Sequence, residues 1–205
     1  MNFSNISRKS TWIGILAVLL GAIVIVLRPE IQKYLRAEKD LNDLQTICSN
    51  VLHLMCAKSE FAFTKQRIAN DVSVSWNDIE PFLNSHSMPP DLTNIAQFNV
   101  CGEKYILNGR LGCVEAELPR PMCGFARGTR ISDEYADILD ILWGIERSKA
   151  SGHINWQGYD NGLATFSINP PGVSPTARLR ESIPGFPAGT EISLPIAAYG
   201  PWWRW

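Results

Sequence analysis

The stretch from Trp12 to Arg67 sets the terms for everything that follows. Sixteen apolar residues, Trp12–Leu27, run into a charged segment with only Pro29 near the join. As a helix the run is about 24 Å long, close to a hydrocarbon core of about 30 Å. It carries no polar face, which argues against an ordinary core helix. "VLRPEIQ" offers no small-residue cleavage site, so the run reads as a retained anchor rather than a signal peptide. Beyond Pro29 the helical pattern continues. Leu44, Ile47, Cys48, Val51, Leu54, Met55, Phe61 and Ala62 recur at three-and-four spacing and form one apolar stripe. A helix of this length needs a body to pack that stripe against.

That body is small. Ser75, followed by Asp78 three residues later, marks the start of a short helix in "SVSWNDIEPFL". Two β-rich runs, Phe98–Cys101 and Lys104–Leu107, precede Asn108-Gly109, a strong hairpin signal. Ser132 and the acids after it open a further helix with Ile138, Leu139, Ile141, Leu142 and Ile145 on one face. "GYDNGLATFSI" reads as a turn into a strand. From Asn169 onward seven prolines point to an extended arm ending in "GPWWRW".

The order of these signals gives an α+β fold: a long N-terminal transmembrane-plus-amphipathic helix on a small antiparallel sheet, with a C-terminal extension. The boundaries are an N-terminal tail at 1–10, a transmembrane helix at 11–28 and its amphipathic continuation at 29–67. A head follows at 68–127, a helix–strand extension at 128–168 and a proline-rich arm at 169–205.

The anchor resembles the N-terminal helix of type IV pilins and type II secretion pseudopilins. In that family a membrane glycine precedes a proline by eight residues, followed by a "PxxQxY" turn. Gly21, Pro29, Gln32 and Tyr34 reproduce the spacing. The head is similar to one pseudopilin subgroup through Cys48, Asn50, Ala57, Lys58, Trp76, Asp78, Pro81, Leu83, Cys101, Tyr105 and Cys123, in order. Two positions depart from the pattern. Trp12 stands where the family carries an assembly glutamate, and Ser7 where its leader peptidase needs glycine. The resemblance implies a pilin-like shape, with Trp12, Gly21 and Pro29 marking the anchor. Residues 128–205 have no counterpart in it.

Net charge is −1, which gives no electrostatic reason to bind nucleic acid. No zinc-type Cys/His spacing, Walker loop, GxSxG or CxxCH occurs. His53, His86 and His153 have no partner spacing. No catalytic set, cofactor or metal is expected, and a small-molecule ligand is not. Asp133, Glu134, Asp137 and Asp140 read as a solvated first turn complementing the helix dipole rather than as a calcium site.

Five cysteines suit an oxidising compartment. Cys48 and Cys56 are eight apart on one helix, about 12 Å along its axis, too far to bond each other. They read as small buried hydrophobes. The resemblance favours Cys101 with Cys123; local spacing equally allows Cys101 with Cys113. Trp202, Trp203, Arg204 and Trp205 offer aromatic and guanidinium surface suited to a docking arm. The expected partners are the lipid bilayer and other membrane-protein subunits. The expected function is a non-enzymatic structural or accessory subunit of a membrane-associated assembly. A minor pseudopilin of a secretion or pilus machine and a membrane-tethered ligand-binding module are the alternatives. Placement follows from the resemblance and the cysteines: a single pass of the bacterial inner membrane, N-terminus cytoplasmic, C-terminal domain periplasmic.

Overall fold

The computed structural model describes the backbone of residues 4–66, 73–83, 100–108, 113–151, 159–168 and 173–195. Within those ranges side chains are described at Ile25 and from Leu27 onward, Ala150 and Tyr159 excepted. The fold is α+β, a long N-terminal helix and small antiparallel sheets. By compactness the chain divides into two units, Met1–Lys39 and Asp40–Trp205.

Helix α1 runs unbroken over Ser4–Thr64, 61 residues, with Pro29 inside it. Of the first unit, the described part is the N-terminal stretch of this helix. There Leu27, Ile31 and Leu35, four residues apart, are exposed. Trp12 and Gly21 lie outside the residues whose side chains are described. Among the described residues no helix is long and apolar enough to cross a membrane.

In the second unit α1 buries the expected stripe. Leu44, Ile47, Cys48, Val51 and Leu54 are all within 1% of complete burial, and Met55 and Phe61 are half-buried. Cys56 is exposed, contrary to the expectation of a buried hydrophobe. It falls just off the stripe, one position past Met55. Helix α2 (Trp76–Ile79), continued by a 3-10 turn at Glu80–Phe82, starts as expected. The Asp78 carboxylate accepts from the Ser75 N–H and hydroxyl at 2.9 and 2.7 Å.

Strands β1 (Lys104–Ile106), β2 (Glu115–Glu117) and β3 (Arg130–Ser132) form an antiparallel meander. The run Phe98–Cys101 differs from expectation: Val100 and Cys101 are not strand, and Phe98 and Asn99 lie outside the described residues. Glu103 explains the bend. Its carboxylate accepts the N–H groups of Val100 and Cys101, taking donors a ladder would need. Helix α3 (Asp133–Ala150) follows β3 directly, capped by Ser132, whose hydroxyl accepts the Tyr135 N–H at 3.3 Å.

The C-terminal third overturns the reading of an extended arm. Strands β4 (Tyr159–Asp160), β5 (Ala164–Ser167), β6 (Thr176–Leu179) and β7 (Glu191–Ser193) form a second antiparallel sheet in sequence order. Its described prolines sit where a missing N–H costs no ladder bond. Pro175 precedes β6, Pro184 and Pro187 occupy the β6–β7 connection, and Pro195 follows β7. Alternation survives around them: Ala164, Phe166, Ala177, Leu179 and Ile192 point inward.

This sheet contains a second copy of the first meander. Tyr105 pairs Ala116 and Ala116 pairs Ile131; sixty-one positions later Phe166 pairs Ala177 and Ala177 pairs Ile192. The connections match bond for bond. Met122 and Phe125 exchange N–H···O bonds, as do Ile183 and Phe186. The Gly128 and Gly189 N–H groups each reach the leucine carbonyl at the end of the preceding strand at 2.8 Å. Gly124 and Gly185 adopt φ of +86° and +85°, where a side chain is disfavoured. Between Leu118–Ser132 and Leu179–Ser193 the shared residues are Leu, Gly, Phe, Gly, Thr, Ile and Ser.

The helices repeat too. Leu44, Ile47, Cys48, Val51 and Leu54 of α1 have the spacing of Tyr135, Ile138, Leu139, Leu142 and Ile145 of α3, all buried. The second unit is thus a helix-plus-meander built twice around one continuous core.

Candidate functional site

Polar side chains concentrate where α1 meets the first meander. Four residues of the helix, Asp40, Asp43, Asn50 and Lys58, reach across. Arg120 bridges Asp40 and Asp43, its Nη2 2.8 Å from Asp43 Oδ2. Asn50 Nδ2 donates to the Tyr105 hydroxyl at 2.9 Å, and that hydroxyl donates to Glu103 Oε1 at 2.9 Å. Lys58, fully buried, donates from Nζ to the Leu107 carbonyl at 2.9 Å. Burial lowers its pKa, while nearby Cys113 and Asp133 pull the other way.

The last of these neighbours form a group of their own. Register places Glu115 opposite Ser132, so Cys113, just before β2, comes level with the first turn of α3. Cys113 Sγ lies 3.4 Å from Glu134 Oε1. One ligand atom from each of Cys113, Asp133 and Glu134 lies within 4.8 Å of the others, close enough to hold a metal ion. Burial, then Asp133 and Glu134, push the Cys113 thiol up to about 12. Burial, then Glu134, push Asp133 up to about 6.

The expected acidic face therefore divides. Asp133 and Glu134 turn inward, with Asp133 only 9% exposed, rather than forming a solvated first turn. Asp137 accepts from Asn161 Nδ2 at 3.1 Å, and Asp140 is exposed. Asn161 Oδ1 in turn accepts the N–H groups of Leu163 and Ala164, so the "GYDNG" oxygens brace the β4–β5 turn.

None of the five cysteines is in a disulfide, where Cys101 was expected to bond Cys123 or Cys113. Cys113 faces Asp133 and Glu134, whereas the charged neighbours of Cys101 are Glu103, Asp43 and Arg120. Cys101 and Cys123 share Asp43 and Arg120 as neighbours, but burial and the carboxylates push both thiols up to about 11. Trp202, Trp203, Arg204 and Trp205 lie outside the described residues, as do His86 and His153. On the outward side of α1, Met55, Cys56, Ser59, Glu60 and Phe63 line an open groove of about 380 Å³, with Phe63 84% exposed.

The sequence reading did not bring Lys58 together with Cys113, Asp133 and Glu134. Nothing in local spacing joins positions so far apart, although the duplicated "GF" and "GT" turns were there to be found by comparing the chain with itself. Comparisons with protein-family models, curated proteins and solved structures return no match to this chain.

Proposed function

We propose that the chain is a non-catalytic, single-pass membrane protein whose pilin-like head serves as a structural or accessory subunit of a membrane-associated assembly. The observation that carries this reading is the continuity of α1. One helix of 61 residues holds both the apolar run beginning at Trp12 and the stripe buried in the head core. Ile31 and Leu35, exposed in line with Leu27 at the end of that run, extend its apolar surface, and surface of this kind favours lipid or a neighbouring subunit over water. Polar residues on the helix are spent holding the head: Asn50, Lys58, Asp40 and Asp43 all bond the first meander or its loops. Membership of a filament, as a minor pseudopilin, is the less favoured form because Trp12 and Ser7 replace the assembly and processing residues.

The test is fractionation of the native full chain, followed by purification in mild detergent. The protein should stay with membranes through alkaline carbonate washing and co-purify with a stoichiometric partner. Deleting Gly200–Trp205 should release that partner while leaving the head folded. Recovery of a soluble monomer in the first step would sink the proposal.

A further inference from the structure

Acidic residues in a helix's first turn ordinarily face water and complement the helix dipole. Asp133 and Glu134 of α3 do something else. Asp133 Oδ1 and Glu134 Oε2 are buried and have no hydrogen-bond partner. A buried acceptor left without a partner destabilises the fold. Asp133 and Glu134 are neighbours whose carboxylates repel each other, and a cation held by both would meet these two acceptors.

The third member of the group says which kind. Cys113 Sγ stands 3.4 Å from Glu134 Oε1. A tetrahedral ion with bonds of about 2.3 Å to sulfur and about 2.0–2.2 Å to oxygen sets neighbouring donors about 3.5 Å apart. The Cys113–Glu134 edge already has that length, and all three donor atoms fall within 4.8 Å of one another. A thiolate among carboxylates suits a borderline transition metal and not calcium or magnesium, which take oxygen alone. Charge agrees. A thiolate, two carboxylates and the nearby Lys58 ammonium leave two negative charges, which one divalent ion neutralises.

The molecule also contains its own control. At the matching positions of the second copy stand Ser174, Leu194 and Pro195, and the same meander forms there with the same register. The same meander thus forms in the second copy without a chemical counterpart of Cys113, Asp133 or Glu134.

We infer that Cys113, Asp133 and Glu134 form a binding site for a divalent transition-metal ion of the zinc class, with a fourth position open to water or to a partner's side chain. Binding replaces the Cys113 thiol proton, which leaves to solvent, and involves no change of oxidation state; affinity accordingly rises with pH. Glu134, only half-buried, is the route of entry.

Titration of the full chain, reduced and stripped of metal in detergent micelles, tests the site. Cobalt(II) should bind at one equivalent, give a thiolate-to-cobalt charge-transfer band in the near ultraviolet, and be displaced by zinc. Cys113→Ser, which installs the second copy's residue, should abolish the band and weaken binding by about tenfold or more. Glu134→Gln should weaken binding while keeping the band. Cys56→Ser, at an exposed thiol, should change neither. Circular dichroism checks that each variant is folded; if Cys113→Ser is not, the comparison of Glu134→Gln with Cys56→Ser decides. The inference fails if the unaltered protein takes up no stoichiometric cobalt, or if the band survives in folded Cys113→Ser. It fails equally if Glu134→Gln binds as tightly as the parent.

Discussion

His53 shows how one residue's neighbourhood fixes a measurable property of the whole chain. It lies on α1 between the buried Val51 and Leu54, half-buried, with Nδ1 shielded from water and without a hydrogen-bond partner. Burial lowers its pKa below the ordinary value of 6.5. The folded state therefore prefers the neutral ring. Above about pH 6.5 the imidazole is neutral folded or unfolded, and its ionisation contributes nothing to the difference. As the pH falls through that value and on to the folded pKa, the unfolded chain binds the proton first and stability drops. His53→Leu should flatten this acid arm and raise stability near neutral pH by about 1 kcal/mol, by removing the unsatisfied nitrogen. Urea unfolding at several pH values between 5 and 8 reads both effects; an unchanged acid arm would assign it to another group. The sequence showed that His53 had no metal-type partner spacing. It could not show the burial, because that depends on which surfaces close over the helix.

Elements were legible to the extent that their signals were local. The three-and-four spacing of α1, the Ser75–Asp78 start of α2 and the Ser132 cap of α3 all rest on residues within a turn or two of each other. Strands β6 and β7 were missed because seven prolines outweighed short alternating runs such as "TARL" and "EIS". The structure restores the alternation by confining its described prolines to strand ends and turns. The α1 stripe gives a direct test of what holds the head together. Val51 is completely buried, so Val51→Asp places a carboxylate in the core without a partner, at a cost of several kcal/mol. Phe63→Asp changes a side chain that is 84% exposed, for which little or no loss is expected. Limited proteolysis should cut Val51→Asp rapidly beyond residue 66 and leave Phe63→Asp as resistant as the parent. Equal resistance of the two variants would mean that the stripe does not bear on the head's stability.

The duplication belongs to the scale of the whole molecule, and it escaped a reading that moved from signal to signal along the chain. Polar substitutions hide it: Tyr105, Glu103 and Arg120 of the first copy correspond to Phe166, Ala164 and Glu181 of the second. The first copy uses those polar groups to grip α1, whereas in the second Ala164 and Phe166 are buried apolar residues and Glu181 is exposed. The candidate site follows the same division, since Cys113, Asp133 and Glu134 have no equivalents in the second copy. Even so, the copies are not independent bodies. Tyr135 of α3 stacks on Phe186 of the second connection, with centroids 4.7 Å apart, and meets Phe125 of the first edge-on at 5.8 Å. One core runs through both. Phe166→Ala removes a ring that is 1% exposed in the second copy, with an expected loss of about 3–5 kcal/mol. If the core is shared, that loss reaches the first copy too. Amide hydrogen exchange under native conditions should then show protection falling together in β2 and β6, because both open only when the common core opens. Protection lost over 164–193 alone, with β2 unchanged, would show two meanders that fold separately and only touch.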